Sequence, residues 1–370
     1  MTATAATTTA TVNPLTAMKI KTLVGFKQIT PGVLPGEALT ALKQCGVTCF
    51  SGIQPNNSVM RTGSMTLLGN TFYGLQMQVA QNKYTGTFTM TLLNNAEDLK
   101  THALQVGFRL TQSAVVLAQA NTSVLSLQNN STYQITPVST TTEDTSVYGE
   151  LVLGANTSGS SGWMQLFINK QQVFYQQVNL NSGYPQVLTF GGSFAPTKAD
   201  GYSLMVGDIY IAELDYNSDK TVTPQLLGNL TLEPFTVESY SGDKHTNTKN
   251  QDIVTALNTL NPNNDMGVLA IKPVEQPASV TMNTPDIAGR TILGASLNIV
   301  YKDSIAPNNR LRYQITEGTT ALPAETITER NADTTGYTTF SKILTAPAGG
   351  GAWNADNLKF KLDMVNSSSE

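Results

Sequence analysis

The sequence predicts an all-β protein built from two β-sandwiches. Short segments in which apolar and polar residues alternate recur along the 370 residues, and turn residues such as Asn-Asn, Gly-Asn and Ser-Gly separate them. Only 13% of the residues are charged, about half the usual share. Thr, Ser, Asn and Gln must therefore supply the polar surface, and such residues favour turns and strand faces over helix surfaces.

The N-terminal part is predicted to be a flexible arm followed by a strand and a short helix. Residues 1–17 begin MTATAATTTATVNP, whose apolar side chains are too small to build a core and which lacks the charged and apolar regions of a signal peptide. The segment KIKTLVGF is predicted to be a strand. PGEALTALKQCG, residues 35–46, is predicted to form a short helix that ends at Gly46.

Residues 18–238 are predicted to form the larger sandwich. SMTLLGNTFYGLQMQV and YTGTFTMTLL alternate with a period of two. Residues 162–180, GWMQLFINKQQVFYQQVNL, contain the clearest hairpin, with Asn-Lys at its turn and an irregularity near Leu166. SLMVGDIYIAELDYN and PQLLGNLTLEPF are predicted to be two further strands joined by a polar loop.

The second half of the chain is predicted to be a linker and a smaller sandwich. Residues 239–264 are polar and rich in turn residues, with one turn of helix near Val254–Leu257, which is typical of a connection between domains. Strand patterns then resume over residues 265–370 and predict a second β-sandwich.

Charge and motif content exclude several classes of function. The net charge is −4, the pI is near 5.3 and no run of Lys or Arg occurs, so nucleic acid is not an expected partner. No stretch of 18 apolar residues exists, so no membrane span is predicted. Neither G-x-x-x-x-G-K-[ST] nor G-x-G-x-x-G occurs, and no cofactor is expected.

The cysteines and histidines do not predict a catalytic or metal site. Cys45 and Cys49 are expected to be free thiols, because residues four apart on a helix do not easily form an ordinary disulfide. A metal site needs further ligands, and the only histidines are His102 and His245. Because no G-x-S-x-G elbow occurs, a Ser-His-Asp triad is not expected either.

The stretch GYSLMVGDIYIAELDYN, residues 201–217, raises the question of a glycosidase. Such enzymes place two carboxyl groups on one strand face, and Glu213 and Asp215 fit two places of an i, i+2, i+4 pattern. Asn217 occupies the third place, and an amide cannot be the acid. Glu213 and Asp215 are therefore predicted to be non-catalytic residues on one solvated strand face near the sheet edge. Asp208, of opposite parity and next to Gly207, is predicted to have a strand-start or turn role.

A sugar-binding site stays open at this point. Such a site needs exposed aromatic rings beside amide and carboxyl groups. Tyr148, Tyr184 and Tyr202 lie near polar loops in the sequence and satisfy the first condition if they are exposed. Packing at the edges of the sandwich accounts for them equally well.

Three segments together resemble a known family. These are GWMQLFINKQQVFYQ, the pair VGDIYIAELDYN and LLGNLTLEPF, and the ending LTAPAGGGAWNADNLKFKLDM at residues 344–364. The chain resembles virion structural proteins of tailed bacteriophages, which carry a concanavalin-like, laminin-G-like jelly roll followed by a small β-sandwich. The resemblance covers roughly residues 20–370, and Ala352-Trp353-Asn354 is its most specific part.

The resemblance implies a non-enzymatic structural component of a phage particle, located in the virion as a tail, baseplate, fibre or capsid-decoration part. Its partners would be other copies of itself and other virion proteins. Sandwich edges guarded by few charges favour a homo-oligomer through β-rich surfaces, and a trimer is expected for a fibre-like part. The alternatives are an adhesin that binds a receptor or host-surface glycan on the same scaffold, and, third, a glycosidase.

Overall fold

The computed structural model confirms the all-β class. It describes residues 17–113, 123–156, 160–180, 183–192, 194–241, 246–247, 252–261, 269–270, 278–283, 285, 287, 290–301, 309–328, 338–348, 353 and 358–366. The predicted arm therefore lies outside the described residues except for its last residue, as do residues 367–370 and His245.

The N-terminal unit contains fourteen strands, one short α-helix and one 3₁₀ helix among its described residues. The helix α1 spans Ala38–Lys43, and the 3₁₀ helix spans Ala96–Lys100. The strands are β1 (Lys19–Val24), β2 (Gly32–Val33), β3 (Gly52–Gln54), β4 (Val59–Leu67), β5 (Asn70–Val79), β6 (Thr87–Leu93), β7 (His102–Gln112), β8 (Leu125–Gln128), β9 (Thr132–Gln134), β10 (Thr145–Ala155), β11 (Ser161–Ile168), β12 (Gln171–Asn179), β13 (Gln186–Gly191) and β14 (Tyr202–Asp215).

These strands form two antiparallel sheets that pack as a jelly-roll sandwich. The nine-stranded sheet has the order β12-β11-β10-β7-β14-β5-β4-β2, and β1 pairs with β14. The five-stranded sheet has the order β3-β6-β13-β8-β9. Apolar side chains from both sheets form the main core, where the rings of Phe108 in β7 and Phe190 in β13 lie 5.1 Å apart between centroids.

Local sequence explains several of these elements. In β6, Phe88, Met90 and Leu92 enter the core while the threonines between them face outwards, as the alternation predicts. The predicted hairpin is β11–β12, and Asn169 and Lys170 at its turn both have positive φ, as a two-residue turn requires. The predicted irregularity is a register shift between Leu166 and Phe167. The predicted helix near Gly46 is α1.

One predicted strand is wrong. Residues 221–235, which include PQLLGNLTLEPF, contain no strand. They run across the outer face of the nine-stranded sheet, where Leu226, Leu227 and Leu230 pack on Tyr148 and Tyr210. We call residues 216–232 the covering segment. Because it covers one face and the main core lies on the other, β7, β10 and β14 are buried on both sides over most of their length.

The C-terminal unit is also β-rich. Its described elements are β15 (Thr236–Ser241), β16 (Thr246–Asn247), α2 (Ile253–Asn258), β17 (Leu269–Ala270), β18 (Ala278–Asn283), β19 (Ala295–Tyr301), β20 (Asn309–Glu317), β21 (Thr320–Ala321), β22 (Glu325–Thr326), β23 (Thr338–Leu344) and β24 (Leu358–Asn366). A six-stranded sheet has the order β15-β18-β24-β20-β21, with β22 on β20, and β19 pairs with β23. The predicted helical turn is α2.

The domain boundaries remain predictions. Within the predicted linker 239–264 the structure describes the end of β15, β16 and α2. β15 already pairs with β18 of the C-terminal sheet, and β16 pairs with β17. The two units also touch, since the Thr30 amide donates to the Leu260 carbonyl over 2.7 Å.

Candidate functional site

Glu213 and Asp215, the two carboxylates that raised the question of a glycosidase, lie together at the end of β14. They share the strand face of Ile209 and Ile211, and Leu214 packs on the opposite face. The Lys21 ammonium is 3.1 Å from the Glu213 carboxylate. Asp215 accepts from Lys19 over 3.2 Å and contacts His102 over 3.1 Å.

Glu213 and Asp215 lie near the sheet edge, one strand in from β1, which pairs with no other described strand. Over these residues β14 lies between β7 and β1, with Glu213 opposite Leu104 on one side and Lys19 on the other. The chain reached this arrangement because its N-terminal strand adds to the sheet, a long-range pairing that no local pattern reveals. The lysines therefore come from a strand almost two hundred residues away.

The electrostatics of this pair do not suit acid catalysis. Hydrogen bonding and charge from Lys19, with a smaller contribution from His102, lower the pKa of Asp215, which is therefore ionised at neutral pH. A retaining glycosidase needs one carboxyl group whose pKa is raised by burial. Asn217 donates to the Thr221 hydroxyl over 2.9 Å and adds no acid.

The neighbouring Gly207 had suggested that Asp208 starts a strand, but the structure shows otherwise. Asp208 lies within β14 at a β-bulge, where the register with β7 shifts between Gly207 and Tyr210, and its φ is +46°. The bulge turns its carboxylate towards the covering segment. Its oxygens accept from Arg109 Nε over 2.8 Å and from the Leu232 amide over 3.0 Å. Burial raises the pKa of Asp208, and the hydrogen bond from Arg109 opposes that rise.

Arg109 extends this contact to the covering segment. Its Nη2 donates to the Asn229 side-chain oxygen over 2.7 Å and to the Leu230 carbonyl over 2.6 Å. The guanidinium also lies 5.4 Å from the ring centroids of Phe72 and Tyr148. The arginine is thus held by a carboxylate, an amide, a carbonyl and two aromatic rings.

Glu150 is the second buried charge on this face, with only 1% of its surface exposed. Its carboxylate accepts from the Tyr210 hydroxyl, from Gln105 Nε2 over 3.3 Å, and from the amides of Leu227 and Gly228 over 2.8 and 3.0 Å. Burial first, and the charge of Glu150 second, raise the pKa of Tyr210, so its hydroxyl stays protonated and donates.

This buried network has the residue types of an active site, but the chain itself occupies it. Gln105 completes it by bonding both the amide and the carbonyl of Gln225 over 3.0 and 2.9 Å. Each of the four network residues Gln105, Arg109, Glu150 and Asp208 bonds the backbone or a side chain within residues 225–232. We therefore infer that it fixes the covering segment. In the sequence Glu150 interrupts an apolar run, and this interruption could have pointed to a buried functional charge.

The cysteines and most of the tyrosines that the sequence singled out are buried or half-buried in the fold. Cys45 and Cys49 are free, as predicted, and burial raises the pKa of each thiol to about 12, which leaves them protonated and unreactive. Of the three tyrosines considered for a sugar site, Tyr148 and Tyr202 are buried and only Tyr184 is exposed. Among the described residues no group of three His, Cys, Asp or Glu side chains could hold a metal ion, and no helix has the length and apolar character to cross a membrane.

Strand β12 presents an open edge. It forms one end of the nine-stranded sheet, and no described strand pairs with its outer side. Its nine residues, QQVFYQQVN, carry no charge. Phe174 and Val178 pack inwards on the main core, whereas Val173 and Tyr175 are 43% and 49% exposed on the other face. Natural edge strands usually carry charges or proline that discourage pairing, and β12 has neither.

The outer face of the five-stranded sheet is the second exposed feature. An open groove of about 590 Å³ runs over it. Its lining residues are neutral and mostly carry hydroxyl or amide groups: Thr87, Ser123, Ser126, Gln128, Thr132, Gln134, Thr136, Thr189, Gly191 and Gly192. Sequence reasoning predicted the alternation that exposes the threonines of β6 but assigned them no function.

Comparisons with known proteins give weak likenesses. No protein-family model matches the chain. No curated protein matches it either. Similar solved structures include the botulinum neurotoxin serotype D binding domain, with 10% identity, coverage of 84% of this chain and 81% of that chain, and a TM-score of 0.22. Tandem CBM51 modules of a family 98 glycoside hydrolase from Streptococcus pneumoniae share 12% identity, cover 86% and 98%, and have a TM-score of 0.20.

A turret protein of an archaeal virus with a triple jelly roll shares 10% identity, covers 85% of this chain and 73% of that chain, and has a TM-score of 0.18. TM-scores this low carry no argument about what the chain does. Its function must therefore be inferred from its own surfaces, among them the β12 edge and the neutral groove.

Proposed function

We propose that this protein is a non-enzymatic structural component of a viral particle, of the tailed-bacteriophage type, and that it assembles by pairing strand edges. The observation that carries the proposal is the uncharged edge of β12. A strand edge exposes unpaired amide and carbonyl groups, so a nine-residue edge without charge is a template for another strand. The resemblance of the sequence to phage virion proteins supports the same proposal.

The sequence of β12 suits pairing with a second copy of itself. In an antiparallel pair centred on Tyr175, the two tyrosines face each other, and Val173 lies opposite Gln177 of the partner. No like charges meet, and the contact is the same from both sides, as two-fold symmetry requires. Such pairing gives a dimer, whereas the resemblance suggests a trimer, so the measured mass separates the two assemblies.

The surroundings of four acidic residues support a non-enzymatic role. The carboxylates of Glu150 and Asp208 are used by the covering segment, and those of Glu213 and Asp215 are neutralised by lysines of β1. Burial raises the pKa of the Asp208 carboxyl group, and this group is bonded to Arg109 and to the Leu232 amide. A structural component needs rigid sheets and open edges, and this chain offers both.

The test is to place a charge on the β12 edge. Tyr175→Lys brings two like charges face to face at the symmetry axis, where they destabilise strand pairing. We expect light scattering at micromolar concentration to show an oligomer for the wild type and a monomer for this variant. Val59→Lys is the matched control, because Val59 is 48% exposed but lies in β4, an interior strand. A monomeric wild type contradicts the proposal. So does a Tyr175→Lys variant that forms the same oligomer as Val59→Lys.

A second candidate function is an adhesin that binds a receptor or a host-surface glycan. The observation that favours it is the neutral groove on the five-stranded sheet. The two functions are compatible, because the groove lies on the face of one sheet and β12 lies at the edge of the other.

A further inference from the structure

The outer face of the five-stranded sheet carries a row of small polar residues that crosses all five strands. Strand pairing sets Gly52 opposite Thr89, Thr89 opposite Thr189, Thr189 opposite Ser126, and Ser126 opposite Gln134. Directly opposite residues of paired strands point to the same side of a sheet. The row therefore forms a continuous polar strip at right angles to the strands.

Glycine is needed at one end of this row. A Cβ atom on Gly52 would lie 2.4 Å from the hydroxyl oxygen of Thr89, which is closer than such atoms approach. The glycine thus leaves room for the threonine hydroxyl at the start of the strip. Thr189 occupies the centre, between Thr89 and Ser126.

The hydroxyl of Thr189 has no hydrogen-bond partner. The residue is only 6% exposed, and its oxygen is one of three buried side-chain oxygen or nitrogen atoms without a partner among the described residues. Buried hydroxyl groups in proteins nearly always have a partner, so an exception calls for an explanation. The groove offers one, because Thr189 is among the residues that line it.

The neighbouring polar side chains of the groove also make no hydrogen bonds to other described residues, and Gln128, Thr132, Gln134 and Thr136 among them are exposed to solvent. Within the described part of the chain, six other residues of the groove make no side-chain hydrogen bond: Thr87, Ser126, Gln128, Thr132, Gln134 and Thr136. Hydroxyl and amide groups together offer both donors and acceptors. The face therefore suits a ligand that also carries both hydrogen-bond donors and acceptors.

The lining excludes most other ligands. It contains no Lys or Arg, so nucleic acid and other anions gain no attraction, and no carboxylate, so cations gain none either. The groove lies on a sheet face, where backbone groups are already paired, so a peptide cannot add as a strand. No aromatic or large aliphatic side chain lines it to anchor an apolar peptide.

We propose that this groove binds a neutral oligosaccharide, with the Thr189 hydroxyl as its central contact. A sugar chain carries many hydroxyl groups and no charge, and it matches the donors and acceptors of the strip. The volume of about 590 Å³ falls within the range of ligand sites, roughly 300–1,000 Å³. Among its described residues the groove has none of the aromatic rings and carboxyl groups expected of a sugar site from the sequence, so binding would rest on hydroxyl and amide contacts alone. The site does not depend on assembly through β12, but linked copies would add avidity to it.

The test compares the wild type with Thr189→Val, which keeps the shape and removes the hydroxyl. The probes are neutral tetrasaccharides to hexasaccharides of glucose, galactose, mannose and N-acetylglucosamine, titrated against the full chain by NMR. We expect one of these to bind the wild type and Thr189→Val to bind it about five- to ten-fold more weakly, as loss of one hydrogen bond implies. Gln128→Ala should weaken the same binding.

Thr66→Val is the matched control, since Thr66 is an exposed threonine of β4 in the other sheet, and its variant should bind like the wild type. Absence of binding to every neutral probe overturns the proposal, and so does binding that Thr189→Val and Gln128→Ala leave unchanged. The groove variants do not touch β12, so failure here leaves the oligomeric state, and with it the proposed function, separately measurable.

Discussion

The outer faces of the two sheets of the sandwich both carry polar groups, but these groups are paired on one face and left open on the other. On the nine-stranded sheet the polar groups include the charges of Arg109, Glu150 and Asp208, and residues 225–232 bond all of them. On the five-stranded sheet the groups are neutral, and Thr189 keeps an unpaired hydroxyl. A buried charge without a partner costs far more than a buried hydroxyl without one. Only the neutral face can therefore remain open for a ligand.

The strongest way to break this comparison is to remove a charge from the covered face. Arg109→Ala leaves the Asp208 carboxylate buried without its cation, and we expect the free energy of unfolding to fall by about 3–5 kcal/mol. Urea denaturation followed by tryptophan fluorescence measures the change. Arg61→Ala is the control, because Arg61 is half-buried and bonds only the Gln76 side chain. A loss at Arg109 no larger than at Arg61 would show that the network does not hold the covering segment.

The open face should respond in the opposite direction. Thr189→Val removes a hydroxyl that has no partner and fills the same volume with a methyl group. We expect the free energy of unfolding to stay constant or to rise by about 1 kcal/mol. The same urea denaturation measures it, with Thr62→Val as the control, because the Thr62 hydroxyl donates to the Thr30 carbonyl over 3.1 Å. A fall at Thr189 as large as at Thr62 would mean that its hydroxyl has a structural partner after all.

The smallest effect is expected at the end of β14, where charges are exposed. Replacing both Glu213 and Asp215 by their amides should leave stability nearly unchanged at pH 7 and should leave no glycan-hydrolysing activity to lose. Because the pKa of Asp215 is lowered in the folded chain, whatever stability it adds is present above the ordinary pKa of aspartate and is lost as the pH falls through the lower value.

The stabilities of the wild type and the double amide should therefore converge as the pH falls below the ordinary pKa of aspartate, as urea denaturation at a series of pH values from 7 downwards would show. A difference in the free energy of unfolding between the two proteins that grows towards acid pH would contradict the expected direction. Hydrolysis of a polysaccharide by the wild type and not by the double amide would replace the structural role with a catalytic one.

Local patterns predicted the elements whose environment is local. The alternation of β6 and the turn at Asn169 and Lys170 involve neighbouring residues, and both appear in the structure. The segment PQLLGNLTLEPF has equally good apolar positions, yet it packs on a sheet face and forms no strand. A segment that packs on a sheet face needs the same apolar residue types as a strand that pairs within the sheet. The sequence pattern therefore cannot separate these two structures.

The sites depended on partners far along the chain. Asp208 looked like a turn residue because its cation, Arg109, lies about a hundred residues earlier. The lysines that pair with Glu213 and Asp215 were not foreseen, because they lie on β1, the first described strand of the chain. The polar face of the five-stranded sheet was visible only strand by strand, and the row through Thr189 requires the pairing of five strands that are not in sequence order.

The covering segment also has a consequence for the order of folding. Its anchors come from β7, β10 and β14, and it follows all three along the chain, so it can dock only after those strands have paired in register. A sheet with shifted register would separate Glu150 from Arg109 and leave the segment without its hydrogen bonds. Docking of residues 225–232 should therefore be a late step in synthesis and refolding, and resistance of this segment to a protease would report that the central strands are correctly assembled.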